Sequence, residues 1–264
     1  MYFLGVDIGS ATCDAVLIDA AGGILSSSVV PTGARSLDAV ERAKREVIDA
    51  AGIAEDRICG LVSTGYGRER VGGRVAAVTE IRCHALGIHQ ALKDARLLID
   101  IGGQDSKVIR VDPSGRVVDF VMNDRCAAGT GYFLESMAGA LQVDVQTLST
   151  LDRGAGRNLT LSSVCAVFAK SEVVSLVADG VAVNEIVHGL NRSIAVRISS
   201  LVKRVCSEPE RTVIAMSGGV ANNEGVVRAV SQALGGKVHV PRHPDIIGAL
   251  GAAMIARGIG GNGG

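Results

Sequence analysis

Three glycine-containing turns in this sequence carry side chains that are suited to phosphate chemistry. Asp7-Ile-Gly and Asp100-Ile-Gly each end an apolar segment, and Met216-Ser-Gly-Gly ends a third. Carboxylates in such positions hold Mg²⁺ through its bound waters. Glycine lets backbone N–H groups approach phosphate oxygens closely, because no Cβ intervenes. The sequence therefore predicts a nucleotide site in which Asp7 and Asp100 organise Mg²⁺.

Further contacts with the nucleotide are predicted around the same turns. Ser10 and Thr12 add hydroxyl donors, Lys107 can neutralise phosphate charge, and Gly218 with Gly219 can pass close to a base or ribose. The predicted nucleotide-contacting residues are Gly9, Ser10, Ala11, Thr12, Gly102, Gly103, Lys107, Gly129, Lys170, Glu172, Gly218, Gly219, Val220 and Asn222. The G-x-x-x-x-G-K-[ST] pattern does not occur, so this is not a P-loop protein.

Two of the six cysteines stand apart from the others. Cys126 and Cys165 each follow a polar turn and precede a helical stretch, so each thiolate could lie at a helix N-terminus, where it is stabilised. A [4Fe–4S] cluster needs four thiolates, and two chains on a two-fold axis would supply them. Small buried thiols remain the alternative reading. No C-x-x-C pair occurs, and in a reducing compartment the cysteines do not form a disulfide framework.

An internal repeat positions the first two turns. Residues 4–25 match residues 97–118 at a constant offset of 93, including both Asp-Ile-Gly turns and a later Asp-x-x-Gly turn. Each copy has the pattern of a three-stranded meander. The repeat predicts two duplicated halves, residues 1–94 with 244–264 and residues 95–243, the second of which carries Cys126 and Cys165.

Helical periodicity follows each meander. Ser36 is the predicted N-cap of a helix over 37–51 that Gly52 closes. The other predicted helices cover 80–93, 130–141, 169–179, 183–206 and 244–257, and a short strand is predicted over 211–215. Strands that alternate with helices indicate an α/β fold.

Composition excludes several classes of protein. The 264 residues contain 27 Lys and Arg and 27 Asp and Glu, so the formal net charge is zero. Binding to nucleic acid or to an anionic membrane generally needs a basic excess, and neither is expected. The chain starts directly in a strand-like segment without a signal peptide, and no apolar run is long enough to span a membrane. A cytoplasmic protein is expected.

The arrangement of the three turns resembles that of the superfamily of acetate and sugar kinases, heat-shock chaperones and actin. The resemblance covers nearly the whole chain. It implies two ribonuclease-H-like halves with a nucleotide cleft between them that closes on ATP or ADP.

A narrower resemblance rests on the segments STGYGR, EIRCHA, DIGGQDSK, NDRCAAGTG and SSVCAVFAKSEV. Together they are similar to the activators of 2-hydroxyacyl-CoA dehydratases and the ATP-binding subunits of benzoyl-CoA reductase. This resemblance implies a homodimer with one bridging [4Fe–4S] cluster on Cys126 and Cys165 of each chain. It also implies ATP hydrolysis that drives one electron from ferredoxin or flavodoxin into a dehydratase or reductase component. Gln104 or Asp105 is the residue expected to orient the attacking water.

The first phosphate turn departs from the family pattern DIGSTTTK. Ala11 lacks a hydroxyl, and Asp14 places a negative charge where the family has lysine. Nucleotide affinity or the subfamily is therefore expected to differ. Tyr66, in STGYGR, is either a turn aromatic or part of a partner-facing loop, and His84 is expected to be a packing or surface residue.

Two other functions fit the same fold. A small-molecule kinase would need a base beside a substrate hydroxyl, but not Cys126 and Cys165. A nucleotide-gated interaction protein would use ATP only to change shape. Lys170 and Glu172 fit either a solvated first helical turn or contacts with ribose or adenine.

Overall fold

The computed structural model describes residues 1–156, 159–161 and 165–260, and its elements alternate along the chain. Residues 162–164 of the SSVC motif and residues 261–264 of the predicted first half lie outside the described residues. The strands are β1 (Tyr2–Ile8), β2 (Thr12–Asp19), β3 (Ile24–Pro31), β4 (Ile58–Gly65), β5 (Ala76–Ala77), β6 (Leu97–Ile101), β7 (Ser106–Val111), β8 (Val117–Asn123), β9 (Ile214–Ser217) and β10 (Val238–His239). The helices are α1 (Ser36–Ala51), α2 (Glu80–Ala91), α3 (Gly131–Leu141), α4 (Leu148–Leu151), α5 (Ala166–Ala178), α6 (Val183–Val205), α7 (Glu224–Leu234) and α8 (Ile247–Gly260).

The strands form two five-stranded sheets with the same topology. The first has the order β3-β2-β1-β4-β5, and the second has the order β8-β7-β6-β9-β10. In the first sheet β1 pairs antiparallel to β2 and parallel to β4. In the second sheet β6 pairs parallel to β9, which pairs parallel to β10. The predicted α/β fold with duplicated halves is confirmed.

The chain forms two compact units. The first contains Met1–Ala95, Ile109–Val118 and the described residues from Pro241 onward. The second contains Arg96–Val108 and Asp119–Val240. Each unit has its own apolar core, so each can hold a loop in a fixed geometry.

The two copies of the sequence repeat form equivalent backbone hydrogen bonds in their turns. Gly9 N–H donates to Thr12 O at 2.9 Å, and Gly102 N–H donates to Asp105 O at 3.0 Å. The later turns match as well, because Gly22 and Gly115 both have positive φ and both donate to the carbonyl three residues earlier. Positive φ explains glycine at these two positions.

The two faces of the first sheet are covered by different helices. Leu4 and Val6 pack with Val40 and Val47 of α1 on one face, while Phe3 belongs to the cluster formed with α8 on the other. This alternation is the period of two expected for a strand that is buried on both faces.

Several element boundaries differ from those predicted. Ser36 is the first residue of α1 rather than its N-cap, which is Arg35, and the Arg35 side chain pairs with Asp38 at 2.8 Å. Helix α5 starts three residues before the predicted position, and α8 starts three residues after it. Strand β9 begins at Ile214 because Pro209 opens a 3₁₀ turn that continues to Arg211. The closing Gly52 adopts the expected left-handed conformation.

No helix in the described ranges combines the length and the apolar character needed to cross a membrane.

A first prediction concerns the crossing of α2 and α8. A Cβ at Gly251 would overlap the Cys83 carbonyl, whereas Gly258, in the same helix, has open space around it. We expect Gly251→Ala to lower the free energy of unfolding by about 1–3 kcal/mol or more, since the helices must separate. Gly258→Ala is the matched control and should raise it by about 0.5–1 kcal/mol. Urea denaturation of both variants measures the difference, and equal midpoints would contradict this packing.

Candidate nucleotide and thiol sites

The first phosphate loop, residues 9–12, is a tight turn between β1 and β2. Thr32, just after β3, holds it from outside: its Oγ1 donates to Gly9 O and its N–H donates to Ala11 O, both at 2.9 Å. Gly9, Ser10, Ala11 and Thr12 are all half-buried. The loop is therefore fixed while part of its surface remains accessible.

Asp7 lies one residue before the end of β1, and its carboxylate is buried in the first unit. His84 of α2 approaches it, with Nε2 3.6 Å from Asp7 Oδ2. A Cβ at Gly248 or Gly65 would overlap the same carboxylate, so glycine makes room for it on two sides. His84 is 6 % exposed, which confirms packing rather than a surface position, and it lies beside the predicted Mg²⁺-organising carboxylate.

The second phosphate loop, residues 102–105, follows β6. Asp100 Oδ1 accepts a hydrogen bond from Ser217 Oγ at 2.7 Å, and Asp100 Oδ2 lies 3.1 Å from Lys107 Nζ. The same ammonium group is 2.7 Å from Asp105 Oδ2. Asp100, Asp105 and Lys107 are all at most 5 % exposed. Lys107 thus neutralises carboxylates in this structure.

The two loops differ in charge at equivalent positions. Asp14 lies directly opposite Asp7 in the β1–β2 register, and it is buried. The repeat places Lys107 at the equivalent position beside Asp100. The first unit therefore brings together two carboxylates and His84, where the second unit has two carboxylates and a lysine. Thr12 Oγ1 lies 3.4 Å from Asp14 Oδ2 as a hydrogen-bond donor.

The third predicted element follows β9 and has the expected form. Gly218 has φ 83°, and a Cβ there would overlap the Ile101 carbonyl at the end of β6. Gly219 and Asn222 are exposed, while the Val220 side chain is buried, so Val220 could contribute only its backbone. Helix α7 follows directly, capped by the Asn223 side chain.

Gln104 and Asp105 differ in how far their side chains are exposed to solvent. Gln104 is exposed at the tip of the second phosphate loop. Asp105 is buried and paired with Lys107. Of the two predicted water-orienting residues, Gln104 is the one whose side chain can reach a ligand.

The two singled-out cysteines both lie in the second unit, but in different settings. Cys165 immediately precedes α5 as its N-cap residue and is exposed. Cys126 is half-buried in the turn over 124–130, and α3 begins only at Gly131. The expectation that Cys126 lies at a helix N-terminus is therefore wrong, because the CAAGT segment forms a separate turn before the helix.

Three other predicted contacts lie near these cysteines. Gly129 is buried with φ 90° and packs against the aliphatic stem of Arg197. Lys170 is exposed on α5, and Glu172 is half-buried on the same helix. Both lie beyond the first residues of α5, which starts at Ala166.

The remaining cysteines are poor candidates for metal ligands. Burial raises the pKa of Cys13 to about 12, and Asp14 and Asp7 add to the effect. Burial likewise raises the pKa of Cys83 to about 12. Both are neutral thiols at physiological pH, and a thiol must ionise to bind iron. Cys206 is half-buried, with its Sγ 3.5 Å from the Thr212 hydroxyl, and Cys59 is exposed in the first unit.

A second prediction concerns these thiols. A pKa raised above its ordinary value of 9.0 means that the buried Cys13 and Cys83 stabilise the fold fully below about pH 9. That contribution is lost as the pH rises towards 12. We expect a falling free energy of unfolding over this interval, and Cys13→Ala with Cys83→Ala should flatten the fall. Iodoacetamide at pH 8, read by peptide mass, should label the exposed Cys59 first and leave Cys13 and Cys83 unlabelled until denaturant is added.

A metal centre within one chain has little support in the described part of the molecule. No group of three or more His, Cys, Asp or Glu side chains there is placed to hold a metal ion. The donor chemistry nevertheless fits two different groups. The exposed Cys165 and the half-buried Cys126, both in the second unit, are thiols of the kind that suit iron. Carboxylates at strand ends suit Mg²⁺ bound through water.

Sequence reasoning missed several residues that shape these loops. Ser217 contacts Asp100 only because β9, more than a hundred residues away, pairs with β6. The first unit shows the same relation, since Thr64 of β4 is the register partner of Asp7. The sequence signal for both of these neighbours of the aspartates is a Ser-Gly or Thr-Gly pair at the end of a parallel strand. Such a pair occurs in STGYGR and in MSGG. Tyr66, next in that first loop, is 56 % exposed.

Comparison with known proteins gives consistent matches over the whole chain. The model of the BadF/BadG/BcrA/BcrD ATPase family matches residues 4–256. The activator of lactoyl-CoA dehydratase from Anaerotignum propionicum is 43% identical over 256 residues, which is 97% of either chain. The activator of the 2-hydroxyisocaproyl-CoA dehydratase from Clostridium difficile, solved with bound ADPNP, superposes with a TM-score of 0.93. It is 38% identical, and the match covers 99% of this chain and 96% of that one.

A more distant structure shares the fold alone. The ROK family glucokinase from Streptomyces griseus has a TM-score of 0.58 at 15% identity, with 98% of this chain and 100% of that chain covered. The predicted relation to the actin and sugar-kinase fold is confirmed by this likeness and by the duplicated sheets.

Proposed function

Because the chain belongs to the BadF/BadG/BcrA/BcrD ATPase family, we propose that it binds and hydrolyses Mg·ATP as the activator of a partner enzyme. The partner is a 2-hydroxyacyl-CoA dehydratase or a related CoA-ester reductase, by analogy with the relatives that activate such dehydratases. The observation that carries this proposal is the pair of matching loops, each preceded by a buried strand-end aspartate and closed by the same backbone bond.

Each of the two phosphate loops is suited to binding nucleotide phosphates through its backbone N–H groups. Asp7 and Asp100 would hold Mg²⁺ through its waters, and the ion would supply positive charge that neutralises the phosphates. Lys107 keeps Asp100 and Asp105 close together without a metal, and the three groups sum to one negative charge. That residual charge favours a cation at this loop. Gly218 and Gly219 leave the backbone after β9 free to approach the ribose or base.

Gln104 orients the water that attacks the terminal phosphate. Its side chain is exposed and uncharged, so it can both accept a hydrogen bond from water and donate one to a phosphate oxygen. Asp105 instead fixes Lys107. The exposure of Gln104 and the ion pair of Asp105 both support Gln104 as the water-orienting residue.

Cys126 and Cys165 of two copies hold one [4Fe–4S] cluster in a homodimer. When bound, the cluster supplies a store for one low-potential electron, received from ferredoxin or flavodoxin. Support comes from the other thiols, since Cys13 and Cys83 are held neutral by burial, Cys59 lies in the other unit, and Cys206 contacts the Thr212 hydroxyl. Two donors per chain are half of what the cluster needs, and a two-fold axis supplies the rest.

Helix α5, which begins directly after Cys165, has a surface suited to protein contacts. Val167 and Phe168 are 71% and 68% exposed, and Val174 and Val177 farther along are also exposed. Exposed apolar side chains grouped on one helix are typical of interaction surfaces. This supports burial of the region around Cys165 by the second copy and by the partner enzyme.

Anaerobic purification tests the proposal. We expect a brown homodimer with about four irons and four sulfides per dimer. Supplied with reduced ferredoxin or flavodoxin, it should transfer one electron per cluster to a dehydratase component only when ATP is hydrolysed. A colourless protein that phosphorylates a small hydroxyl compound would be a kinase. A colourless protein that binds ATP and a partner without electron transfer would be a nucleotide-gated interaction protein. Either result overturns the activator assignment.

A further inference from the structure

The turn that contains Cys126 is hydrogen-bonded to the second phosphate loop. The first two N–H groups of α3 donate to this loop, Gly131 to Gly102 O at 2.9 Å and Tyr132 to Gly103 O at 3.0 Å. Such groups have no partner within their own helix. A Cβ at Gly131 would lie 3.3 Å from Gly103 Cα, so the absence of a side chain there permits this close approach.

The Thr130 side chain lies within hydrogen-bond distance of both the second phosphate loop and the Cys126 turn. Its hydroxyl lies 2.8 Å from Gly103 O in the phosphate loop and 2.6 Å from Ala127 O, the carbonyl that follows Cys126. A threonine hydroxyl has one proton, so it shares or alternates that proton between the two acceptors. Thr130 is completely buried, and water cannot replace either bond. The threonine also makes no side-chain cap on α3, because its hydroxyl is directed at these carbonyls.

The remaining contacts of the Cys126 turn keep it in place on its other sides. Asn123 Nδ2 donates to Cys126 O at 3.1 Å. A Cβ at Gly129 would lie in contact distance of Arg197 and Ile194 of α6, so this part of the turn lies close to that helix. The turn is thus anchored to α6 and β8, while Thr130 joins it to the loop that faces the phosphates.

We propose that Thr130 is a positioning residue that couples the state of the second phosphate loop to the Cys126 turn. The inference rests on the proposed function, since it needs nucleotide at that loop and a functional thiol in that turn. A phosphate that draws Gly103 away releases the hydroxyl proton entirely to Ala127 O, and this tightens the turn beside Cys126. When the phosphate leaves, the hydroxyl proton of Thr130 is again shared between Gly103 O and Ala127 O. Thr130 itself touches neither nucleotide nor metal in this account.

Hydrogen–deuterium exchange on the anaerobically purified protein tests this coupling, with and without a non-hydrolysable ATP analogue. In the unmodified protein we expect the analogue to slow amide exchange both in residues 102–105 and in residues 126–132. Thr130→Val keeps the shape but lacks the hydroxyl, so it should retain the slowing at 102–105 and lose at least half of that at 126–132. Thr130→Ser keeps a hydroxyl and should restore the response.

Thr212→Val is the matched control, because the Thr212 hydroxyl also donates to a backbone carbonyl, Glu208 O at 2.9 Å, but lies outside the phosphate loops and the Cys126 turn. It should leave the analogue-induced slowing at 102–105 and at 126–132 intact. If Thr130→Val does not fold, Thr130→Ala removes the same hydroxyl without adding volume.

Full protection of 126–132 in a folded variant without the hydroxyl overturns the inference, and so does an unmodified protein protected only at 102–105. Absence of analogue binding in the unmodified protein is a separate result, since it removes the proposed ATPase function first.

Discussion

Replacing Cys126 or Cys165 by serine should abolish the iron–sulfur cluster, with iron falling from about four per dimer to background. Serine is nearly isosteric with cysteine, but its hydroxyl does not ionise at neutral pH and is a poor ligand for iron. In the proposed arrangement each substitution removes two of the four ligands, because the dimer carries it twice. Electron transfer to the partner should then stop, and the dimer should weaken.

Cys206→Ser is the matched control for this experiment. Cys206 is half-buried like Cys126 and belongs to the same unit, but it contacts Thr212 at the end of α6. The variant should keep about four irons per dimer. Iron and sulfide analysis with sizing of all three variants decides the question. A cluster that survives Cys165→Ser and disappears with Cys206→Ser would contradict the proposed ligand set.

The sequence was most informative where local chemistry repeats. Asp7 and Asp100 were found from a constant offset of 93 residues, and the structure places both in the same position of matching turns. The conformation of such a turn is set by its glycine and by hydrogen bonds between residues a few positions apart. A single sequence is therefore nearly sufficient to predict it. The duplicated fold class followed from the same repeat.

Site contacts between residues far apart in the sequence could not be predicted. His84 reaches Asp7 only because α2 crosses α8 beneath β1, and Ser217 reaches Asp100 only because β9 pairs with β6. Neither partner is near in sequence, and a single sequence carries no signal for the register of parallel strands. The pairing of Lys107 with Asp100 and Asp105 is likewise visible only once β6 and β7 lie side by side, and the predicted contact of Lys107 with phosphate stays a prediction.

The helix after Cys126 is predicted well, but the position of Cys126 relative to it is not. The predicted helix over 130–141 begins at Gly131, only one residue later. Cys126 precedes this helical stretch in the sequence, yet residues 127–130 lie between it and the helix. The Thr130 hydroxyl, which contacts two carbonyls rather than capping the helix, belongs to that separate turn.

Asp100→Asn should reduce ATP hydrolysis by about 100-fold or more, with the protein still folded and still holding its cluster. The substitution preserves shape and the hydrogen bond from Ser217 Oγ, but it removes the charge that orients Mg²⁺ waters and that balances Lys107. The freed ammonium group is then drawn to the nucleotide phosphates, so binding of ATP should weaken less than the rate falls. A larger effect on kcat than on KM is the expected signature.

Asp7→Asn tests the first loop in the same way, with Asp112→Asn and Asp19→Asn as controls. These two aspartates occupy equivalent turns of the repeat, away from the phosphate loops, and both accept backbone hydrogen bonds there. Asp7 has His84 nearby instead of a lysine, so its substitution leaves no strong cation behind and should weaken nucleotide binding along with the rate. Steady-state kinetics across a Mg²⁺ series measures all four variants. Wild-type hydrolysis in folded Asp7→Asn and Asp100→Asn would show that the nucleotide site is elsewhere, whereas slow controls would indicate a general loss of structure.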